Sequence, residues 1–260
     1  MNYLNSNNRL GGILMYHSIS DSSDLELDVS LEIFERQINY LIANYKIVDL
    51  KHMIDLLNNK KSTCASTSFC ITFDDGYSDF YYNVFPLLLK YNIPCVLYIC
   101  PSFVIGGNDF SIFSEKYRAY SAKYKPLSIA QISELHKSGL VTLAAHSYSH
   151  AEFPYLNDCE IADEILSSDR FFSDNFSIRP SHFAYPRGIW SFRAERLLSK
   201  RYDSVSLASG GFLKANASKY RLPRIAVKKS DGFLGFVNKL RSNFIVSEQI
   251  RTFKNFRLIF

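Results

Sequence analysis

The chain has 260 residues, 47% of them apolar, and a formal net charge of +5. This length and apolar share support one large domain with a full core and exclude global disorder. The modest positive charge excludes a dedicated nucleic-acid binder and permits, without demanding, contact with acidic glycans or a membrane surface.

Five scattered cysteines (Cys64, Cys70, Cys95, Cys100 and Cys159) contain no CxxC pair and read as reduced thiols. The polar start MNYLNSNNRLGG lacks the basic-then-apolar pattern of a secretory signal, and no apolar run of about eighteen residues occurs. A cytoplasmic location is therefore expected. Seventeen Tyr, twenty-one Phe and one Trp fit an aromatic core better than an extended carbohydrate-facing groove.

Short apolar strands alternate with amphipathic segments. GILMYHS reads as a strand, and SLEIFERQINYLIAN as a helix capped by Ser30. YKIVDL is a strand, LKHMIDLLNN a helix, SFCITF a strand, SDFYYNVFPLLLKY a helix and IPCVLYIC a strand. The stretch from Pro101 to Lys125 reads as irregular. SIAQISELHKSG is a helix closed near Gly139, then LVTLAA, SHFAYP, DSVSLAS and RLPRIAV are strands, with LNDCEIADEILSSDRFFSD and SFRAERLLSKR as helices between them. Repeated β-then-α units imply one domain on a parallel sheet, open or closed. The remainder, residues 231–260, interleaves Lys and Arg with Phe. It is expected to form a helical extension capable of peripheral membrane contact.

In parallel α/β folds, functional side chains collect at the C-terminal ends of strands. The predicted strand ends carry His17, Asp74 with Asp75, His146, and Pro186-Arg187-Gly188. Two adjacent carboxylates repel, so one holds a proton unless a cation or other partner is near. His146 and His150, four apart, fall on one helical face or around one tight loop. With one carboxylate of the FDDG turn they make a three-ligand set of the kind catalytic zinc sites use.

TFDDG, HSYSH and FAYPRG together resemble the first three motifs of the polysaccharide deacetylase family, also called the NodB-homology domain. ILMYHSI, FERQINYL and RLPRIAV are similar to the branch acting on exopolysaccharide and surface glycans. The resemblance spans residues 11–227 and implies a distorted (β/α) barrel of about seven units, taken here as a domain over 11–230. It implies that Asp75, His146 and His150 hold Zn²⁺ or another divalent first-row metal, and that Asp74 is the general base. It also implies that the backbone N–H of Arg187 stabilises the oxyanion, with Pro186 fixing the turn and Gly188 letting the backbone approach substrate. The reaction implied is removal of N-acetyl groups from amino sugars of a polysaccharide, or of a lipid-linked or nucleotide-linked glycan precursor.

Two departures from the family pattern stand out. Ala184 occupies a position where many members carry an arginine that orients the catalytic aspartate. The late histidine that serves as general acid is missing, since RLPRIAV offers Arg224 instead and no histidine follows His182. His17 and a reprotonated Asp74 are the candidate acids, and Arg224 is a candidate partner for Asp74. Tyr16, Tyr185, Trp190 and Arg224 are further candidates for contact with sugar. A glycan-binding pseudoenzyme of the same fold is the alternative. A phosphatase reading of the aspartates is disfavoured, because that chemistry usually wants D-x-D spacing.

Overall fold

The computed structural model describes residues 9–21, 25–59, 67–106 and 123–241. Strand β1 (Arg9–Tyr16) leads into a short pair, β2 (Ser18–Ile19) and β3 (Asp28–Val29). Helix α1 (Leu31–Asn44) begins where Ser30 accepts the Ile33 N–H, and it buries Phe34, Ile38 and Leu41 along one stripe. Strand β4 (Lys46–Ile47) and helix α2 (Leu50–Asn58), capped by Asp49, follow.

Strand β5 (Ser68–Phe73) is buried along its whole length, as a central parallel strand must be. The single helix expected over residues 78–91 is split. Residues Phe80–Val84 form a wide π-type turn in which the Phe85 N–H reaches the Phe80 carbonyl, and α3 (Phe85–Tyr91) starts only there. The cause is Pro86, which has no N–H to return to the preceding turn. Strand β6 (Cys95–Ile99) is followed by α4 (Pro101–Ile105), a short helix in a stretch that reads as irregular. Helix α5 (Ile129–Lys137), with a Ser128/Gln131 capping box, leads to β7 (Val141–Ala145). Helix α6 (Asp158–Phe176) carries a second capping box, Asn157 with Glu160. Strand β8 (His182–Ala184), helix α7 (Phe192–Leu198), β9 (Ser204–Gly210), β10 (Leu213–Lys214) and β11 (Leu222–Ala226) follow in order. Helix α8 (Gly232–Arg241) packs on α1. Residues 242–260 of the expected basic and aromatic extension, and Cys64, lie outside the described residues.

The strands run in the order β10-β1-β11-β9-β8-β7-β6-β5-β4, and β1 also pairs with β5. That extra pairing, parallel from Gly11↔Ser68 to Tyr16↔Phe73, closes seven parallel strands into a barrel. β4 and antiparallel β10 remain as appendages. Alternate residues divide between two packing layers. Ile13, Cys70, Val96, Tyr98, Ala144, Ala184 and Leu222 fill the barrel interior, while Leu14, Tyr16, Ile71, Phe73, Leu97 and Ile99 pack under the surrounding helices.

Candidate active site

A cleft of about 350 Å³ opens where the strands end. His17, Asp74, Asp75, His146, His150 and Arg187 line it, brought together from the turns after β1, β5, β7 and β8. Left-handed backbone marks the same turns. Asp75 (φ 73°), Ser147 (57°), His150 (58°) and Arg187 (57°) are all non-glycine residues with positive φ. Such conformations are costly and persist only where the surrounding structure over-determines them.

The adjacent aspartates have opposite surroundings. Asp74 is gripped by Arg224, whose Nη1 and Nη2 donate to Oδ1 and Oδ2 at 2.6 and 2.7 Å. The guanidinium also donates to Thr72 Oγ1 (3.1 Å) and to the Leu207 carbonyl (2.6 Å), and it lies over the Tyr98 ring. Burial by itself would raise the Asp74 pKa, but Arg224, with help from His146, overcomes it and holds the carboxyl down at about 2. Asp74 is therefore an ionised, fixed carboxylate.

Asp75 lacks any such cation. Burial, then the charge of Asp74, push its carboxyl up to about 8. Its Oδ2 accepts the Tyr77 hydroxyl at 3.0 Å. Its Oδ1 is buried without a hydrogen-bond partner and faces His146 Nε2 at 3.4 Å and His150 Nε2 at 3.7 Å. The Nδ1 of His146 lies 2.8 Å from the Ala184 carbonyl. A carbonyl only accepts, so Nδ1 carries the proton and Nε2 presents its lone pair to the cluster. Desolvation lowers both imidazole pKa values, which keeps the rings neutral. One carboxylate oxygen and two neutral imidazoles, with ligand atoms all within 4.8 Å of one another, fit a divalent cation. The orphaned Oδ1 is the atom such an ion would satisfy.

Comparison with known proteins is consistent with this geometry. The family model "Polysaccharide deacetylase" matches residues 61–202, over half of the chain. The chain belongs to the polysaccharide deacetylase family. It is 26% identical over 217 residues to YxkH of Bacillus subtilis (strain 168), covering 83% of this chain and 70% of that protein. It is 24% identical over 242 residues to the poly-beta-1,6-N-acetyl-D-glucosamine N-deacetylase of Staphylococcus aureus, covering 84% and 77% respectively. Among solved structures, the Streptococcus pyogenes deacetylase PplD in complex with acetate shares the fold. Its TM-score is 0.74 at 18% identity, over 89% of this chain and 98% of that one.

In this member of the family the other candidate residues fall into distinct places. His17 lines the cleft, its Nδ1 buried without a hydrogen-bond partner. Burial lowers its pKa to about 4 although Asp74 opposes this, so the ring is neutral at neutral pH. The Arg187 side chain reaches Glu152 at 2.6 Å. Arg224 is fully buried beneath Asp74 and has no surface for a sugar. It pairs with Asp74 instead of lining the cleft, correcting the expectation of substrate contact.

Tyr16 is likewise no sugar platform. It is completely buried, stacked on Phe73 and edge-on to Phe34, with its hydroxyl donating to Gln37. Strand alternation sends Tyr16 under α1 and its neighbour His17 into the cleft. Tyr185 is buried between Phe153 and Phe183. Trp190 is only 4% exposed, with Arg221 over its ring. Pro186 is buried, opening the turn. The need for glycine at position 188 has a cause other than substrate, since a Cβ there would lie 2.5 Å from the Ala208 backbone. Tyr77 was missed by sequence reasoning, although its place two residues after Asp75 was a signal.

Proposed function

We propose that the protein is a metal-dependent hydrolase that removes N-acetyl groups from amino sugars of a polysaccharide or glycan precursor and releases acetate. The observation that carries this reading is the buried, unpartnered Oδ1 of Asp75 facing two neutral imidazoles at a cleft. The likeness to the staphylococcal poly-beta-1,6-N-acetyl-D-glucosamine N-deacetylase supports the N-acetylglucosamine class of substrate.

Asp75, His146 and His150 would hold Zn²⁺ or another first-row divalent ion, which supplies Lewis acidity toward the amide carbonyl and the attacking water. Asp74, ionised and immobilised by Arg224, accepts the proton that water gives up as its oxygen bonds to the acetyl carbon. The Pro186–Gly188 turn is left-handed at Arg187 and Gly188, Arg187 lines the cleft, and its backbone N–H would stabilise the developing oxyanion. The C–N bond then breaks, and the amine nitrogen takes back a proton. That proton is the one Asp74 took from water, returned by Asp74 itself or relayed through His17, which is neutral at rest.

The test is direct. Purified protein should carry about one divalent ion per chain and release acetate from N-acetylated oligosaccharides, read by mass spectrometry as loss of acetyl groups. Chelation or Asp75→Asn should remove both properties. Acetate release undiminished in Asp75→Asn would refute the assignment.

Two observations favour a second reading, a glycan-binding pseudoenzyme. Both oxygens of Asp74 are engaged by Arg224, which weakens it as a base, and the late histidine is missing. Oligosaccharide affinity in titration, with no free amine after prolonged incubation of metal-loaded protein, would support that reading.

A further inference from the structure

The two histidines of the cluster belong to one five-residue loop, His146-Ser-Tyr-Ser-His150. For both Nε2 atoms to face Asp75, the chain must turn back on itself within three residues. It does so through left-handed conformations at Ser147 and at His150 itself, neither of them glycine. Such backbone does not hold its shape without external support.

The support comes from another element. Glu164 of α6 accepts the Tyr148 N–H at 2.8 Å and the Ser149 N–H at 2.9 Å, both on Oε2, while its Oε1 accepts the Ser149 hydroxyl at 2.6 Å. The loop's peptide groups are held on their other side too, where the Tyr148 carbonyl accepts the Ser102 N–H at 2.9 Å. α6 is a firm mount. It is capped at Asn157 by two N–H bonds, and it buries Ile161, Phe171 and Phe172.

We infer that Glu164 is a positioning residue for the metal site, its carboxylate clamping the apex of the histidine loop so that His150 converges with His146 on Asp75. This inference rests on the proposed metal site. Glu164 itself is no ligand, because both its oxygens are spent on the loop. Charge-assisted bonds from two successive N–H groups and a hydroxyl fix the loop more firmly than neutral contacts would. Groups that orient metal ligands characteristically set affinity rather than stoichiometry.

Isothermal titration of the chelator-stripped full chain with Zn²⁺ tests this, alongside thermal unfolding of the metal-free proteins. Glu164→Ala should keep one site per chain but weaken Zn²⁺ binding by about 10–100-fold. Glu164→Gln should lie between it and the wild type, since an amide oxygen still accepts the two N–H groups but without the charge. A Glu164→Ala protein that binds Zn²⁺ as tightly as wild type, with only a lowered melting temperature, would overturn the inference, as would Gln and Ala variants equally weak. If the alanine variant does not fold, the glutamine variant decides, and wild-type affinity in it is the overturning result. Wild-type protein that binds no Zn²⁺ overturns both this inference and the proposed function. Normal binding in both Glu164 variants, together with lost binding in Asp75→Asn, overturns this inference alone.

Discussion

Asp74 and Asp75 are neighbours in the chain, yet they belong to opposite kinds of site. The Asp74 half is electrostatically complete, with a buried carboxylate matched by a buried guanidinium that makes four hydrogen bonds. The Asp75 half is left incomplete, with a buried acceptor lacking a donor beside two rings whose burial keeps them neutral. The contrast shows how adjacent like charges coexist. The protein itself gives Asp74 a counter-charge, and under the proposed function a bound cation would give Asp75 its own.

Substitutions on each side should sharpen this division. Among substitutions that keep Zn²⁺ bound, the largest effect is expected for Asp74→Asn, which should slow acetate release by about 10²–10⁴-fold, the usual weight of a general base. Metal analysis and initial rates on the same preparation distinguish it from Asp75→Asn, which should lose both. Removing the other half of the ion pair should show up as instability. Arg224→Met strands a buried carboxylate and should cost about 3–5 kcal/mol in urea unfolding, and Arg224→Lys should recover only part of that, because an ammonium cannot match the fork. An Arg224→Met protein as stable as wild type would break the comparison at its root.

His17 offers a pH test of moderate size. Its native pKa, about 4, lies below the ordinary 6.5, so the folded state binds fewer protons than the unfolded one between those values. Its contribution is complete above pH 6.5 and is lost as the pH falls, at up to about 1.4 kcal/mol per pH unit. Chelator-treated His17→Gln should show a shallower loss of stability than wild type over that window. The smallest effect is expected for Tyr16→Phe, which forfeits one hydrogen bond to Gln37. It should cost about 1 kcal/mol and leave acetate release unchanged, whereas a sugar-stacking or sugar-binding role would lower it.

Much of this organisation was legible in the sequence. The β-then-α alternation, the cap at Ser30 and the carboxylates and histidines at strand ends all follow from local rules of periodicity and capping. What escaped was decided by orientation. Tyr16 and His17 are equally suited to face a sugar, and only the alternation of a strand between interior and helix layer separates them. The break in the helix before Pro86 was visible in principle, since a proline announces a missing donor. The identity of Trp190 and Tyr185 as packing residues was not, because an aromatic ring in a motif reads the same whether buried or open.

The sequence by itself determined that strands and helices would alternate and that strand ends would carry the acid pair and the two imidazoles, because those features depend on near neighbours in the chain. Only the tertiary structure decided which aspartate is satisfied. Arg224 lies 150 residues from Asp74, and the two meet because closure of the barrel sets β11 beside β1, itself paired with β5. The same closure puts Asp75 against His146 and His150, while α6 brings Glu164 to the loop between them. Pairings at such range depend on how the sheet curls and closes, a property of the whole barrel that no local stretch of residues encodes.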